Sequence, residues 1–401
     1  MSTEKSDERK SCIVAAYLPN VWPIVEGADS GFGGAESEMW TVVRCLARRG
    51  QLEIHMVCNA SSSLALHREG VPVATVVPPA LTADHSRARR LVLLGRYFGA
   101  LAAALKRTKA NCYYTKLASV ETIVVSIVGR WSSVPVVYRV EHDWEVAPET
   151  LQKHCMGGSR WKRWLLIWAL RSAAQVICQT EFQRRALQDN YQVEALLIAN
   201  AHEMPDKISM FEDRDQVLWI GRCHPMKRPG LFLELAAMNA SIQHVMVAPI
   251  TQGHDELFAC TRDQAMNTQN VTFVPGVPLG AIPSLFRRAR VLVLTSEAEG
   301  YSNVMIEALK HGVPVVSLAV NPDSVLEPVC SEIQARSMPA LGFCVDDNLP
   351  LASRIVANYW WNREFWLESS RLARTHAGRS YAVDRICAEY ERIFLKCSTE
   401  G

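Results

Sequence analysis

The sequence predicts an α/β protein in which two Rossmann-like halves, each built of βαβ units, face each other across a cleft. Short runs rich in β-branched residues alternate with amphipathic helical stretches, which is typical of parallel sheets. A chain of 401 residues also exceeds what one hydrophobic core usually fills. The alternation stops at the polar segment "HEMPDKISMFEDRD" and then restarts. We therefore expect domains over residues 1–205 and 206–380, followed by a final helix over 381–401.

The first half alternates candidate strands with helical stretches. The helical stretch "AESEMWTVVRCLARRG" carries Trp40, Val43 and Leu46 on one face and ends at Gly50. The candidate strands are "CIVAAY", "EIHMVCN", "NCYYTK", "VPVVYRV", "QVICQT" and "EALLIAN". This order predicts a first parallel sheet.

The second half repeats the same order. Its candidate strands are "QVLWIG", "HVMVAP", "NVTFVPG", "RVLVLTS" and "VPVVSL", and its helical stretches include "PGLFLELAAMN", "IPSLFRRA" and "NVMIEALKHG". Open parallel sheets bind ligands beyond the carboxyl ends of their strands. We therefore expect the ligand site in the cleft between the halves.

Composition restricts the class of protein. The chain is 49% hydrophobic and 21% charged, as in ordinary globular proteins. The start "MSTEKSDERK" lacks the apolar core of a secretory signal, and the apolar runs are too short to span a bilayer. Twelve cysteines occur without a CxxC pair, which argues against a disulfide framework or a zinc site. We expect a cytoplasmic protein.

Basic residues concentrate in the first half. Residues 1–200 hold 24 Lys and Arg against 18 Asp and Glu. Many lie in "HSRARRLVLLGRYFGALAAALKRTKA", and "SRWKRWLLIWALRSAA" places tryptophans beside cations. Such segments suit peripheral contact with the inner face of an anionic membrane. A domain-surface helix with a solvated basic face, and a buried helix with a basic start, are the favoured alternatives. We expect no nucleic-acid partner.

The stretch "SGFGGAESE" raises the question of a phosphate loop. Glycines ahead of a helix let backbone N–H groups approach an anion, so a dinucleotide or a nucleotide sugar could bind there. A dinucleotide fingerprint needs a third glycine three residues after the second, where this chain has Glu36. A long lead-in also separates the glycines from the preceding strand. A dinucleotide-dependent oxidoreductase therefore remains only as the alternative function.

The stretch "LTSEAEGYSNVMIEALKHGVPVVS" places two carboxylates around a helix N-terminus. Glu299 lies in the loop after a strand, and Glu307 lies about one turn into the following helix. The backbone N–H groups between them can hold an anion, while carboxylates accept hydrogen bonds from hydroxyls. Upstream, "VLWIGRCHPMKRPG" puts Arg222 at the end of a strand and Lys227 at the start of a helix, where two cations suit a diphosphate.

Together these stretches resemble the donor half of retaining glycosyltransferases of family 4, the group 1 glycosyl transferases with the GT-B fold. "GRCHPMK" and "EGYSNVMIEALKHGVPVV" match that family's Gly-Arg…Lys segment and E-x7-E motif in order. The resemblance implies that Arg222 and Lys227 bind the donor diphosphate and assist catalysis. It further implies that Glu299 and Glu307 accept from the sugar and ribose hydroxyls. The intervening donor-binding residues would be Gly300, Tyr301, Ser302 and Asn303.

The resemblance extends more weakly to the first half. It implies that His142 in "VVYRVEHDWEV" approaches the donor sugar as an orienting or catalytic group, although an ordinary loop histidine is the alternative. Gly33 and Gly34 would bring backbone amides to the donor diphosphate or the acceptor. Residues 1–205 would form the acceptor side and 206–380 the donor side, with the final helix over 381–401 crossing back.

The activity implied is transfer of a sugar from a nucleotide diphosphate donor to an acceptor hydroxyl with retention, in glycan, polysaccharide or glycolipid biosynthesis. The acceptor would be a glycan, a lipid-linked molecule or a small molecule. No acidic cluster with metal-ligand spacing is seen, so no metal and no other cofactor are expected. A catalytically silent binding protein of the same fold is a further alternative.

Overall fold

The computed structural model describes residues 12–28, 34–82, 84–154, 159–298 and 302–400. The chain divides into two compact units. Unit 1 comprises Met1–Ala201 together with Val383–Gly401, and unit 2 comprises His202–Ala382. The C-terminal segment therefore belongs to the same unit as the N-terminal half.

Unit 1 contains a mostly parallel sheet with the order β3-β4-β2-β1-β5-β6-β7-β8, in which only the β3–β4 pair is antiparallel among the described strands. Its strands are β1 Cys12–Tyr17, β2 Leu52–Asn59, β3 Ala65–Arg68, β4 Val71–Val76, β5 Cys112–Lys116, β6 Val136–Arg139, β7 Gln175–Cys178 and β8 Ala195–Leu197. The strands expected from β-branched runs in this half are all present. Their apolar side chains form cores on both sides of the sheet.

Helices cover both faces of this sheet. They are α1 Trp22–Glu26, α2 Gly34–Arg49, α3 Arg87–Arg107, α4 Val120–Ser132, α5 Pro148–His154, α6 Arg160–Ser172 and α7 Glu181–Tyr191. The C-terminal helix of unit 1, named α15 below, spans Val383–Glu400 and packs against α2. Its Tyr390 and Phe394 rings are buried and lie 5.4 Å from the Tyr114 ring, centroid to centroid.

The β3–β4 hairpin was not expected from the sequence. Its two-residue turn places Glu69 and Gly70 at φ 49° and 83°, as the type I′ hairpin turn requires. Glu-Gly is a weaker signal for that turn than Asn-Gly. Pro72 also argues against a strand, but it lies ahead of the β4 residues that pair with β2.

Unit 2 contains a parallel sheet with the order β11-β10-β9-β12-β13-β15-β14. Its strands are β9 Gln216–Ile220, β10 His244–Val247, β11 Val271–Val274, β12 Ala289–Leu294, β13 Val315–Ser317, β14 Glu327–Pro328 and β15 Gly342–Cys344. Its helices are α8 Pro229–Met238, α9 Asp255–Met266, α10 Ile282–Arg288, α11 Asn303–Lys310, α12 Glu332–Ser337, α13 Leu349–Trp361 and α14 Arg363–Ser380. β14 and β15 are too short to show a periodicity, and the sequence did not predict them.

Gly312 fixes the end of α11. Its φ is 67°, and a Cβ added there would lie 2.6 Å from Ser370 Oγ on α14. Only glycine combines the left-handed conformation with this close approach. The turn sends the chain directly into β13, next to β12 in the sheet.

Candidate functional site

A sharp turn after β9 carries the two predicted cations. We call residues 221–228, between β9 and α8, the cation turn. Arg222 is exposed and Lys227 is half-buried. Pro225–Lys227 form a short 3-10 turn, and Pro229 begins α8. The turn therefore presents both cations beyond the carboxyl end of β9.

The second predicted motif lies after β12. Ser302 is buried and caps α11, because its hydroxyl accepts a hydrogen bond from the Met305 N–H at 3.4 Å. Asn303, the first helical residue, is half-buried. The predicted donor residues Glu299, Gly300 and Tyr301 lie outside the described residues.

Glu307 is held by the side chains of Lys310 and His202. Its Oε1 lies 2.7 Å from Lys310 Nζ and 3.3 Å from His202 Nδ1. Burial raises the pKa of the Glu307 carboxyl, but the hydrogen bond from His202 and the positive charge of Lys310 outweigh this effect and lower the pKa to about 2. Glu307 is therefore ionised and suited to accept hydrogen bonds from hydroxyl groups.

The two motifs meet at one edge of the sheet, because β9 and β12 are parallel neighbours. We call residues 295–298, where the chain leaves β12, the β12 exit. Thr295 Oγ1 donates to the Lys227 carbonyl at 2.6 Å, and the Glu297 N–H donates to the Met226 carbonyl at 2.9 Å. Trp219 Nε1 donates to Thr295 Oγ1 at 2.9 Å. Hydrogen bonds thus join the cation turn to the β12 exit.

Arg228 also links these segments, and the sequence reasoning missed it. Its Nε donates to the Thr295 carbonyl at 2.6 Å, and its Nη2 lies 2.7 Å from Asp347 Oδ1. No local pattern indicates these partners, since they are distant in sequence.

In unit 1, a buried carboxylate orders the turn that carries His142. Glu145 Oε1 accepts hydrogen bonds from the N–H groups of Glu141 and His142, both at 2.8 Å. Burial raises the pKa of Glu145 to about 7. The His142 ring is exposed and stacks on Trp144, with 5.4 Å between centroids. Asp143 Oδ1 accepts from Gln183 Nε2 at 2.9 Å.

A buried charge cluster lies below this turn. We use that name for Glu38, Lys116, Arg139 and Glu141, whose side chains are at most 5% exposed. Lys116 Nζ pairs with Glu38 Oε2 and lies 2.9 Å from Glu141 Oε1. Arg139 Nε lies 3.1 Å from the same Glu141 oxygen. The cluster joins α2 to the carboxyl ends of β5 and β6, and the sequence reasoning missed it because the pairing crosses from helix to sheet.

The cluster extends to other segments of unit 1. Arg139 donates to the Tyr390 hydroxyl on α15 and to Asn200 Oδ1, the latter at 2.5 Å. Gln179 Nε2 donates to Glu141 Oε2 at 2.9 Å. Buried charges are tolerated when they are paired and hydrogen-bonded in this way. The arrangement fixes α2, whose described part begins at the exposed Gly34, whereas Gly33 lies outside the described residues.

The predicted residues thus form one group in each unit. Unit 2 gathers Arg222, Lys227, Ser302, Asn303 and Glu307 at one sheet edge, while unit 1 holds His142 and Gly34.

Within the part of the chain that the structure describes, no group of three or more His, Cys, Asp or Glu side chains could hold a metal ion. Among these described residues, no helix has both the length and the apolar character that spanning a bilayer requires. The described cysteines are free thiols.

The exposure of the basic helices of unit 1 contradicts the buried-helix interpretation for α6 and agrees with the surface-helix interpretation for α3. Trp161 and Trp164 on α6 are 63% and 64% exposed, because the helix turns Leu166, Ala169 and Leu170 to the core instead. On α3, Leu91 is 70% exposed beside exposed Arg87 and Arg89. Both helices therefore present apolar and cationic side chains to solvent.

Two family models match adjoining parts of the chain. The model of Glycosyltransferase Family 4 matches residues 32–200, and that of Glycosyl transferases group 1 matches residues 200–329. Among curated relatives, D-inositol 3-phosphate glycosyltransferase of Mycobacterium avium (strain 104) is 26% identical over 201 residues. That alignment covers 47% of this chain and 44% of the relative, so the match spans less than half of the relative's length.

Solved structures give a wider match. Sucrose-phosphate synthase from Thermosynechococcus elongatus has a TM-score of 0.71 and 15% identity, covering 97% of this chain and 100% of that one. HepE from Anabaena, crystallised with UDP and glucose, has a TM-score of 0.67 and 14% identity, covering 95% and 98%. At these identities the likeness shows the fold, and the motifs and family models carry the assignment. The chain therefore belongs to glycosyltransferase family 4 and has the GT-B fold.

Proposed function

We propose that the protein transfers a sugar from a nucleotide diphosphate-sugar to an acceptor hydroxyl, with retention of the anomeric configuration and without a metal ion. One observation carries this proposal: the cation turn and the β12 exit, which precedes the capped N-terminus of α11, extend from adjacent parallel strands and are joined by hydrogen bonds. Cations that suit a diphosphate would thus lie beside the predicted sugar- and ribose-binding groups. Sucrose-phosphate synthase and the HepE complex with UDP and glucose, both of the same fold, are consistent with such a donor.

Charge relief on the leaving group would be the main catalytic effect. The bond between the anomeric carbon and the diphosphate oxygen breaks, and negative charge grows on the departing nucleoside diphosphate. Arg222, Lys227 and the N–H groups at the start of α11 would stabilise that charge. The acceptor oxygen then bonds to the anomeric carbon on the same face, and its proton passes to the leaving phosphate. His142 would orient the sugar, and Glu299 and Glu307 would accept from donor hydroxyls.

Peripheral membrane contact belongs to the same proposal. The helices α3 and α6 both pack against α4, and each ends just before a strand begins. Their N-terminal turns therefore point toward the carboxyl edge of the unit 1 sheet. Exposed Leu91 and Trp161 beside Arg87 and Lys162 suit an anionic lipid surface at the inner face of a membrane. A lipid-linked acceptor would fit such contact, while a glycan or a small molecule would not require it.

Ligand-dependent thermal unfolding tests the function. UDP, GDP and ADP are each added with EDTA present, and we expect at least one to raise the melting temperature, since a ligand that binds only the folded state stabilises it. Nucleotide sugars carrying the base that gives the shift are then screened for hydrolysis. A shift with NAD(H) or NADP(H) alone would favour the oxidoreductase alternative. Binding without any turnover of nucleotide sugars would favour the silent binding protein.

A further inference from the structure

Arg228, the last residue of the cation turn, has an unfavourable backbone conformation. Its φ is 47° and its ψ is 55°, in the left-handed region that glycine occupies freely. A residue with a side chain loses roughly 1 kcal/mol or more there. The surrounding contacts must offset this loss, and they involve the guanidinium group.

The guanidinium binds the neighbouring strand rather than solvent. Nε donates to the Thr295 carbonyl at 2.6 Å, and Nη2 donates to the Ser296 carbonyl at 3.3 Å and to Asp347 Oδ1 at 2.7 Å. The side chain is 22% exposed. Hydrogen bonds from a charged donor are stronger than neutral ones, and a planar fork can serve several acceptors at once. A lysine could not reproduce this geometry.

The contacts of Arg228 lie where the chain leaves β12. Beside them, Thr295 Oγ1 donates to the Lys227 carbonyl, and the Glu297 N–H donates to the Met226 carbonyl. The residue before Arg228 is the predicted phosphate-binding Lys227. The residues just after the β12 exit lead into the predicted sugar-binding loop and α11. Arg228 is thus fixed between the two halves of the proposed donor site.

We infer that Arg228 is a positioning residue, which keeps the diphosphate-binding cations at one fixed spacing from the β12 exit, after which the predicted sugar-binding residues follow in the sequence. The inference rests on the proposed function. Arg228 does not itself contact the donor in this scheme; it acts through the backbone of Thr295 and Ser296. A diphosphate alone is expected to contact only the cation turn and the start of α11. A reacting nucleotide sugar must also be held by the residues that follow the β12 exit, at a fixed distance from the cation turn. The loss of Arg228 should therefore affect turnover more than diphosphate binding.

The test substitutes Arg228→Gly, which suits the left-handed conformation and removes the guanidinium. Lys109→Gly is the matched control, because Lys109 is an exposed cation that also has a positive φ, 51°, in the turn between α3 and β5 of the other unit. Three quantities are measured for each protein: the melting temperature without ligand, the affinity for UDP, GDP and ADP by calorimetry, and the hydrolysis of UDP-glucose, GDP-mannose and ADP-glucose.

We expect Arg228→Gly to fold and to bind the preferred nucleoside diphosphate nearly as the parent does, while kcat falls about 100-fold, as loss of alignment alone can cause. Millimolar guanidinium should restore part of that rate, and sodium chloride at the same concentration should not. Lys109→Gly should match the parent throughout. Should Arg228→Gly melt early, Arg228→Lys is measured instead and should show the same separation of rate from affinity.

Three outcomes would overturn the inference, and they can be told apart. If the parent protein binds none of the three diphosphates, the proposed function is wrong, and so is this inference. If the parent protein binds and turns over a donor and the variant has the same kcat, only the positioning role of Arg228 is wrong. A variant whose affinity and kcat fall by the same factor also overturns it, since that result assigns Arg228 to diphosphate binding.

Discussion

Arg222 is the exposed cation of the cation turn, and its predicted role is chemical rather than structural. Arg222→Ala should lower turnover by the equivalent of about 2–4 kcal/mol, because one group that stabilises the transition-state charge is lost. The melting temperature without ligand should not change. Steady-state rates with the preferred nucleotide sugar measure the effect. Arg262→Ala is the control, since Arg262 is an exposed arginine on α9. Near-normal rates for Arg222→Ala would remove Arg222 from the site.

Glu145 is the residue whose titration should be visible in stability. Its pKa of about 7 lies above the ordinary value of 4.5, since burial and the nearby Glu141 carboxylate disfavour the charged form. The folded state therefore binds the proton more tightly than the unfolded state, and stability falls as pH rises from about 4.5 to 7. The largest contribution is about 3 kcal/mol.

Glu145→Gln should remove this contribution, because the amide keeps an acceptor oxygen for the Glu141 and His142 N–H groups but does not ionise. Urea unfolding at pH 5 and pH 7.5 measures the free energy of unfolding for both proteins. We expect the parent to lose more stability than the variant between these pH values. Other titrating groups are common to both proteins, so equal losses would contradict the raised pKa.

Among the elements, α2, β5 and β6 depend on one another through the buried charge cluster. Lys116→Met leaves the Glu38 and Glu141 carboxylates with Arg139 as their remaining partner in the cluster. Breaking a buried ion pair in this way typically costs about 3–5 kcal/mol of stability. Denaturant unfolding of the variant measures the loss.

The double variant Lys116→Met with Glu38→Gln tests whether charge balance is the cause. It leaves one negative and one positive group, Glu141 and Arg139, so it should be more stable than Lys116→Met alone. A double-mutant cycle gives the coupling energy. A double variant as unstable as the sum of its single changes would show that packing, rather than charge, makes the cluster necessary.

At the scale of the whole molecule, membrane contact can be measured directly. The protein should co-sediment with anionic vesicles at low salt and remain in the supernatant at high salt, because the attraction is partly electrostatic. Replacing Arg87, Arg89 and Arg90 with Ser should weaken this binding. The control replaces Arg184 and Arg185 on α7, which are 51% and 75% exposed. The absence of vesicle binding by the parent would end the membrane proposal.

Much of the fold was predictable because strands and helices are encoded by local patterns. The β-branched runs predicted the long central strands of both sheets. The family assignment followed from "GRCHPMK" and the E-x7-E spacing and was confirmed by the family models. The hairpin at Glu69–Gly70 and the short β14 and β15 were missed, because their signals are weak or too short.

By itself, then, the sequence determined the fold class and the family, and it placed Arg222 and Lys227 after a strand and Glu307 about one turn into a helix, since each depends on residues near one another in the chain. Only the tertiary structure decided which distant groups meet. Arg228 pairs with Asp347 across 119 residues, and Lys116 pairs with Glu38 across 78. It also decided that Trp161 and Trp164 face solvent. Such partners depend on which strands become neighbours in the sheet, and that order is set by crossover connections between segments that are remote in sequence.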